Sequence, residues 1–238
     1  MEEVYPMRIN KYLALKGFST RRGADDLIAA KKVYINGRIA VLGDKVAATD
    51  KVELRKSGKP SKALIYAAYN KPWGIITHSA GEDEEDIEML VEEYPELKGV
   101  FPVGRLDKDS SGLIILTNDG RITDRLLNPD KEHEKEYTVT TKEPLRPSFQ
   151  EYMEKGVDIE GYTTKPAKVT VKSGNKFSIV LTEGKKHQIR RMVVAMRNEV
   201  NTLERTRVMN VRLGKLPSGA WRPIEGAELK EFLTSLGL

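Results

Sequence analysis

The chain has no cysteine among its 238 residues. That excludes a disulfide framework, a thiol nucleophile and cysteine-ligated zinc, and it fits a reducing compartment. It has no apolar run near the roughly 20 residues needed to cross a bilayer. Its opening, MEEVYPM, lacks the charged and apolar regions of a signal peptide. A soluble, cytoplasmic protein with no membrane partner is expected. Histidine is scarce: His78, His133 and His187 each stand alone in sequence, so a histidine-built metal centre has no support. Neither a P-loop nor a dinucleotide fingerprint occurs, and Ser110-Ser111-Gly112 does not make the G-x-S-x-G elbow of hydrolases.

Positive charge is present but unevenly spread. Residues 1–60 hold 13 Lys and Arg against 7 Asp and Glu, a balance of +6, whereas the whole chain is only +5. A compact basic module of this kind is the electrostatic footprint of a phosphate-backbone binder, or else a lysine-rich solubilising surface. Hydrophobic content of 39% suffices for a sizeable core, as one large domain or a small one plus a medium one.

A short linker, composition SGKPSK at Ser57–Lys62, divides the chain. Before it, INKYLALKGF places Ile9, Tyr12, Leu13 and Lys16 on one helical stripe. Ser19 or Thr20 can cap a second helix with Leu27 and Ile28 inward. Val33 and Ile35 alternate, Asn36-Gly37 turn the chain, and Ile39 and Val41 resume the inward phase. Arg8, Lys11, Arg21, Arg22, Lys31 and Lys32 are distributed over the helices. RINKYLALKGFSTRRGADDLI and VYINGRIA together resemble the S4 RNA-binding module. The resemblance implies that these cations meet an RNA backbone, giving affinity and positioning with little sequence readout.

After the linker, ALIYAAYNKPWGIITHS reads as a strand, a turn at Lys71-Pro72 with Gly74, and a second short strand. Ile87, Leu90, Val91 and Tyr94 follow helical spacing beneath an acidic face that lacks metal-loop spacing. Leu113–Leu116 is a buried strand, EYTVTTK alternates as another, and Gly174-Asn175 turn a hairpin between Val169, Val171 and Phe177, Ile179, Leu181. HQIRRMVVAMRNEV is helical, with Ile189, Met192, Val193 and Met196 at core spacing; TRVMNVRLGKLPSG gives a strand and ELKEFLTSLG a last helix. Mostly antiparallel strands with interspersed helices make an α+β domain.

Three aspartates flank that buried strand: Asp107, Asp109 and Asp119. Each reads equally as a loop charge, with Asp119 placed to cap the helix around ITDRLL; for Asp109 and Asp119 the loop reading is preferred. GRLDKDSSGLIILTNDG resembles the signature of RNA pseudouridine synthases of the small-subunit-rRNA type. NKPWG, HEKEY, EGKKHQIRRM and LERTRVMNVRLGKLPSGAWR extend the resemblance over essentially the whole chain, with wording most similar to the large-subunit (23S) branch. Ile114 and Ile115 stand where leucine is usual, and His187 where large-subunit enzymes often carry arginine.

The resemblance implies a small N-terminal S4-like α/β module at 1–57, a linker at 58–62 and a pseudouridine synthase domain at 63–238. That domain is built on a mixed, mostly antiparallel sheet with flanking helices and a central cleft. It makes Asp107 the catalytic carboxylate, Tyr137 the residue packing against the target base, and Arg190 the basic partner that keeps Asp107 ionised. Arg105 is the candidate to fill the space of a flipped base, Lys71 and Lys135 to contact phosphate or carboxylate, and His187 to contact RNA near the base. Ribosomal RNA, from the large subunit or an assembling subunit, is the implied partner. No cofactor and no metal are implied, and a monomer is expected. Two other classes compete: a non-catalytic S4-type RNA-binding or ribosome-assembly factor, and a metal-dependent RNA hydrolase built on the three aspartates.

Overall fold

A computed structural model describes residues 5–16, 18–19, 21–54, 63–77, 86–91 and 93–238, with residues 22, 88 and 90 described in their backbone only. The expected linker at 58–62, the helix stop at Gly17, the cap at Thr20 and the lone His78 lie outside the described residues.

The N-terminal module runs β1 (Met7–Arg8), α1 (Ile9–Leu15), α2 (Arg21–Ala29), β2 (Val33–Ile35), β3 (Arg38–Ile39), β4 (Lys45–Val46) and β5 (Val52–Leu54). Ile9 and Leu13 from α1 and Ala24 and Ile28 from α2 close over Val33 and Ile35 of β2. Asn36 and Gly37 both have positive φ, 51° and 79°, the turn geometry whose twist matches the flanking strands. The hairpin departs from the expected alternation: Ile39 and Val41 are exposed and Ala40 is the buried residue between them. The cations are also less helical than expected. Arg8 lies in β1, and α2 stops at Ala29, leaving Lys31 and Lys32 in the turn beyond it. Their amides donate to the carbonyls of Ile28 and Leu27 at 2.9 and 3.0 Å, and Lys31 takes a left-handed φ of 55°, a helix-ending arrangement.

The remainder comprises β6 (Tyr66–Lys71), α3 (Ile87–Val91), β7 (Phe101–Val103), β8 (Ser111–Thr117), α4 (Arg121–Leu127), β9 (Lys135–Thr141), α5 (Phe149–Lys155), β10 (Lys168–Ser173), β11 (Lys176–Leu181), α6 (Gln188–Ala195), β12 (Val200–Val208), β13 (Val211–Arg212), β14 (Trp221–Pro223) and α7 (Gly226–Ser235). One sheet runs β10-β11-β9-β12-β8-β6-β14, with β7 and β13 pairing to β8 and β12. Every pairing is antiparallel except β12 with β8. The expected mixed, mostly antiparallel α+β architecture is what forms.

Why Leu113, Ile114, Ile115 and Leu116 are all apolar is evident from the packing. Leu113 and Ile115 join a core with Ile122 of α4 and Phe232 of α7. Ile114 and Leu116 face the other side, against Ile87 of α3 and Tyr69 of β6. A strand covered on both faces reads as a continuous apolar run, and each such side chain contributes about 1.5–3 kcal/mol by burial. A third core lies around β9–β11, α5 and α6. Tyr137 of β9 packs against this core and against the one holding Ile114, so it stands at the junction of the two halves.

Two expected elements are shorter than their patterns. The strand after NKPWG is a single bridge, Ile76 to Asp86. The acidic helix, described over Ile87–Val91, does not reach Tyr94, which precedes Pro95 and is extended (φ −108°, ψ 105°), as a residue before proline prefers.

Asp119 is not a solvated charge. It is 3% exposed and accepts from the Tyr66 hydroxyl at 2.6 Å, from the Arg121 amide at 3.0 Å, and from its guanidinium at 2.8 and 2.7 Å. It thereby tethers the start of α4, as the helix-capping reading expected. Burial pushes its carboxyl upward, but the bonds from Arg121 and Tyr66 outweigh that and hold it below the ordinary value. A depressed folded-state pKa gives stability that is present above the unfolded value and lost as pH falls through the folded one. Asp119→Asn is expected to cost about 2 kcal/mol at pH 7. In urea titrations that deficit should narrow below about pH 4; a deficit independent of pH would contradict the charge-based account.

Candidate active site

Asp107 lies in the loop between β7 and β8, and this loop is fixed carbonyl by carbonyl. The Arg105 carbonyl accepts from Arg205 Nη1 at 3.3 Å. That of Leu106 accepts from the Thr77 hydroxyl at 2.7 Å, while the Leu106 amide donates back to the same oxygen at 3.0 Å. Asp107 accepts from the Ser110 amide at 3.0 Å and Lys108 from the Gly74 amide at 2.8 Å. Asp109 accepts from Arg190 Nη2 at 2.7 Å. Five consecutive residues are thus held from three directions, the preorganisation that a reacting group requires.

The Asp107 carboxylate itself is 40% exposed, and its ion-pair neighbour among the described residues is His187, Nε2 to Oδ1 3.5 Å. The expected pairing of Asp107 with Arg190 is not what forms: Arg190 engages the neighbouring carboxylate, Asp109. Arg190 Nη2 lies 3.1 Å from the Asp109 carboxylate and 3.5 Å from Ser110 Oγ. Asp109 is therefore not an idle loop charge; it is the grip by which α6 holds the loop carrying Asp107.

Beneath the loop, β12 crosses from one half of the sheet to the other. Arg205 pairs with Tyr137 of β9 on one side and Gly112 of β8 on the other, and a register shift between Arg205 and Arg207 bends the strand there, as bulges beside active sites do. Arg205 is 3% exposed, and its Nε donates to the Leu113 carbonyl at 2.7 Å. Sequence reasoning assigned it no role. Its signal is positional: it shares the buried phase of β12 with Leu203, where a lone arginine must find polar partners.

A second loop faces Asp107 across the opening. Glu183, 6% exposed, accepts from the Tyr162 hydroxyl (2.6 Å), the Lys165 amide (3.0 Å) and the Gln188 side chain (2.7 Å), while Gln188 Oε1 accepts from the Lys185 amide at 2.9 Å. This bracing presents His187 in the left-handed region (φ 51°, ψ 30°) immediately before α6. Such a conformation in a non-glycine residue is uncommon and clusters at functional sites.

Between the two loops is a cleft of about 720 Å³, whose walls include Arg105, Asp107, Lys135, Tyr137, His187 and Arg205. Its formal cations are Arg105, Lys135, Lys185, Lys186 and Arg205, against the two carboxylates Asp107 and Glu183. A positive cleft around one accessible carboxylate suits a polyanion that delivers a reacting group. Burial, with Arg205 nearby, lowers the pKa of Lys135, whose ammonium donates to the His133 carbonyl at 3.2 Å.

Lys71 is a correction. It is fully buried, with its ammonium donating to the carbonyls of Pro72 and Ile75 at 2.8 and 2.7 Å, so it does not reach a phosphate. Burial pushes its pKa down to about 8, opposed by the charges of Asp107 and Asp109. In the N-terminal module Arg8, Arg21 and Lys31 are exposed and Lys11 and Lys32 half-buried. Arg21 lies 3.8 Å from Asp124, and the side chain of Arg22 is outside the described residues. Among the described residues no three histidine, aspartate or glutamate side chains converge as a metal site needs, and no helix is long and apolar enough to cross a membrane.

The chain matches the RNA pseudouridylate synthase family over residues 65–195 and the S4 domain over residues 7–52. It is 42% identical over 225 residues to the dual-specificity RNA pseudouridine synthase RluF of Salmonella typhi, covering 93% of this chain and 77% of that protein. To the ribosomal large subunit pseudouridine synthase B of Bacillus subtilis it is 32% identical over 233 residues, covering 94% and 95%. A crystal structure of a pseudouridylate synthase superposes with a TM-score of 0.70 at 28% identity, covering 97% and 99% of the two chains.

Proposed function

The chain belongs to the RNA pseudouridylate synthase family, and from that premise we propose that it isomerises uridine to pseudouridine in large-subunit ribosomal RNA, with Asp107 as the reacting carboxylate. The observation that carries the reading is an accessible carboxylate on a loop bonded at five successive carbonyls, at the wall of a cationic cleft shared with Tyr137. Support for the substrate class comes from the similarity to enzymes named for large-subunit RNA and from the S4 domain.

The reaction conserves atoms. The N1–C1′ bond breaks, the uracil turns, C5 bonds to C1′, the proton of C5 leaves to solvent, and the freed N1 takes up a proton in its place. No group enters from outside, so no cofactor is called for. Asp107 acts either by adding covalently to ribose or base, or by stabilising charge and taking a ribose proton; both need it ionised. The base must leave its stack first. Arg105, exposed and held by its carbonyl to Arg205, is placed to occupy the vacated space, while Tyr137 offers a flat face to the extruded uracil and Lys135 and His187 meet the adjoining RNA. In the N-terminal module Arg8, Lys11, Arg21, Arg22, Lys31 and Lys32 contact the RNA backbone. The protein works as a monomer, in the cytoplasm.

Asp107, Asp109 and Asp119 engage separate partners, His187, Arg190 and Arg121, which argues against a metal-bridged hydrolase. The solvent-accessible Asp107 carboxylate in an open cleft argues against a vestigial pocket. Pseudouridine mapping in rRNA from cells lacking this protein tests the substrate: loss of modification at a large-subunit uridine is expected, and an unchanged large-subunit map would overturn the assignment.

Arg190 is a positioning residue, acting through Asp109. Arg190→Ala should lower kcat by about tenfold with KM little changed, since misplacement of a reacting group is felt in the chemical step. Arg190→Lys should recover little, because an ammonium cannot reproduce the planar fork. Wild-type kcat in Arg190→Ala would reject the role.

A further inference from the structure

Trp73 is the most exposed of the large apolar side chains among the described residues, at 71%. Scattered exposed apolar residues are ordinary, but the support beneath this one is not. The NKPWG turn that carries it is held by hydrogen bonds at several of its residues. Buried Lys71 donates to the carbonyls of Pro72 and Ile75, on either side of the indole. The Asn70 side-chain Nδ2 donates to the Leu216 carbonyl at 2.8 Å. Gly74, at φ +88°, donates its amide to the Lys108 carbonyl, and Thr77 bonds both backbone groups of Leu106. The turn is therefore strapped to the residues immediately before and after Asp107. Exposed Arg105 and Lys108 stand in that same loop.

A water-facing indole on a turn held through its backbone, beside a loop that also exposes Arg105 and Lys108, satisfies no packing need of the protein, yet it is the ideal surface for a nucleic-acid base. Stacking on an aromatic side chain is sequence-tolerant, and removing it weakens binding by about tenfold or more. We propose that Trp73 is a stacking platform for an RNA base flanking the target uridine, registering the strand against the Asp107 loop. This inference rests on the RNA substrate proposed above.

The protein has two tryptophans, and Trp221 is half-buried edge-on to Tyr94. In a Trp221→Phe background all indole emission comes from Trp73. Saturating in-vitro-transcribed large-subunit rRNA should then quench it and cut its access to acrylamide several-fold. On the same transcript carrying 5-tritiated uridine, Trp73→Ala should raise KM about tenfold, with kcat at saturating RNA within twofold of wild type. Trp73→Phe should restore most of the loss, and thermal midpoints should not move. Tritium release by the unaltered protein together with a wild-type KM in Trp73→Ala, or unchanged acrylamide access, overturns the inference alone. No tritium release by the unaltered protein overturns the substrate reading, and this inference with it.

Discussion

Replacing Asp107 by asparagine is expected to reduce isomerisation on the order of 10³-fold or more, the scale lost when a reacting carboxylate is removed, while RNA binding stays near wild type. The substitution isolates charge from shape. The side chain is 40% exposed and takes no part in the core, and the surrounding loop is held through its backbone. Folding should therefore be unaffected. An amide cannot add to the ribose or base as a nucleophile, nor take a proton, so either mechanism fails with the same variant. Single-turnover tritium release and a filter-binding titration with the same RNA separate the two effects. Turnover within tenfold of wild type would remove Asp107 from the chemistry.

The second large effect is structural and lies one strand away. Gly112 has φ +104°, and a Cβ built there would overlap the Arg205 carbonyl oxygen and sit 2.7 Å from its amide nitrogen. The obstacle is backbone on a neighbouring strand, in the parallel pairing of β8 with β12, so nothing flexible can yield. Gly112→Ala combines a left-handed backbone penalty of about 1–2 kcal/mol with an overpacking cost of about 1–3 kcal/mol. A loss of about 3 kcal/mol should lower the thermal midpoint by about 6–12 °C. Activity should fall at temperatures where the protein is still folded, because Arg205 fixes both Leu113 and Arg105 by their carbonyls. A midpoint within 1 °C of wild type would show that the close approach of the two strands carries no constraint.

Much of this was legible in the residues themselves, because the relevant forces are local. A continuous LIIL run between Gly112 and the TNDG turn reports burial on both faces, and that is where β8 lies. Asn36-Gly37 specifies its turn through the positive φ that both residues adopt, and Gly174-Asn175 turns the hairpin between β10 and β11 as its pattern indicates. Asp107 was found through a resemblance, and its environment was not. The partner expected for it, Arg190, instead holds Asp109, since the choice between carboxylates two residues apart depends on which way a loop faces a distant helix. Lys71 illustrates the same limit. A lysine before proline reads as solvated, yet long-range pairing of β6 with β8 buries it under the Asp107 loop, where its hydrogens serve carbonyls of its own turn. Val41 failed for the opposite reason: two-residue strands leave the alternation too short to fix which face is inward. Thr77 carries no pattern at all, and only the fold reveals that one hydroxyl binds both backbone groups of Leu106.

Purified protein incubated with ribosomal RNA containing 5-tritiated uridine, with and without EDTA, gives the most direct reading. Tritium should pass to water in both cases, with the RNA chain intact and pseudouridine present in its digest. RNA that keeps all its tritium, or is cut in a manner EDTA abolishes, would contradict it.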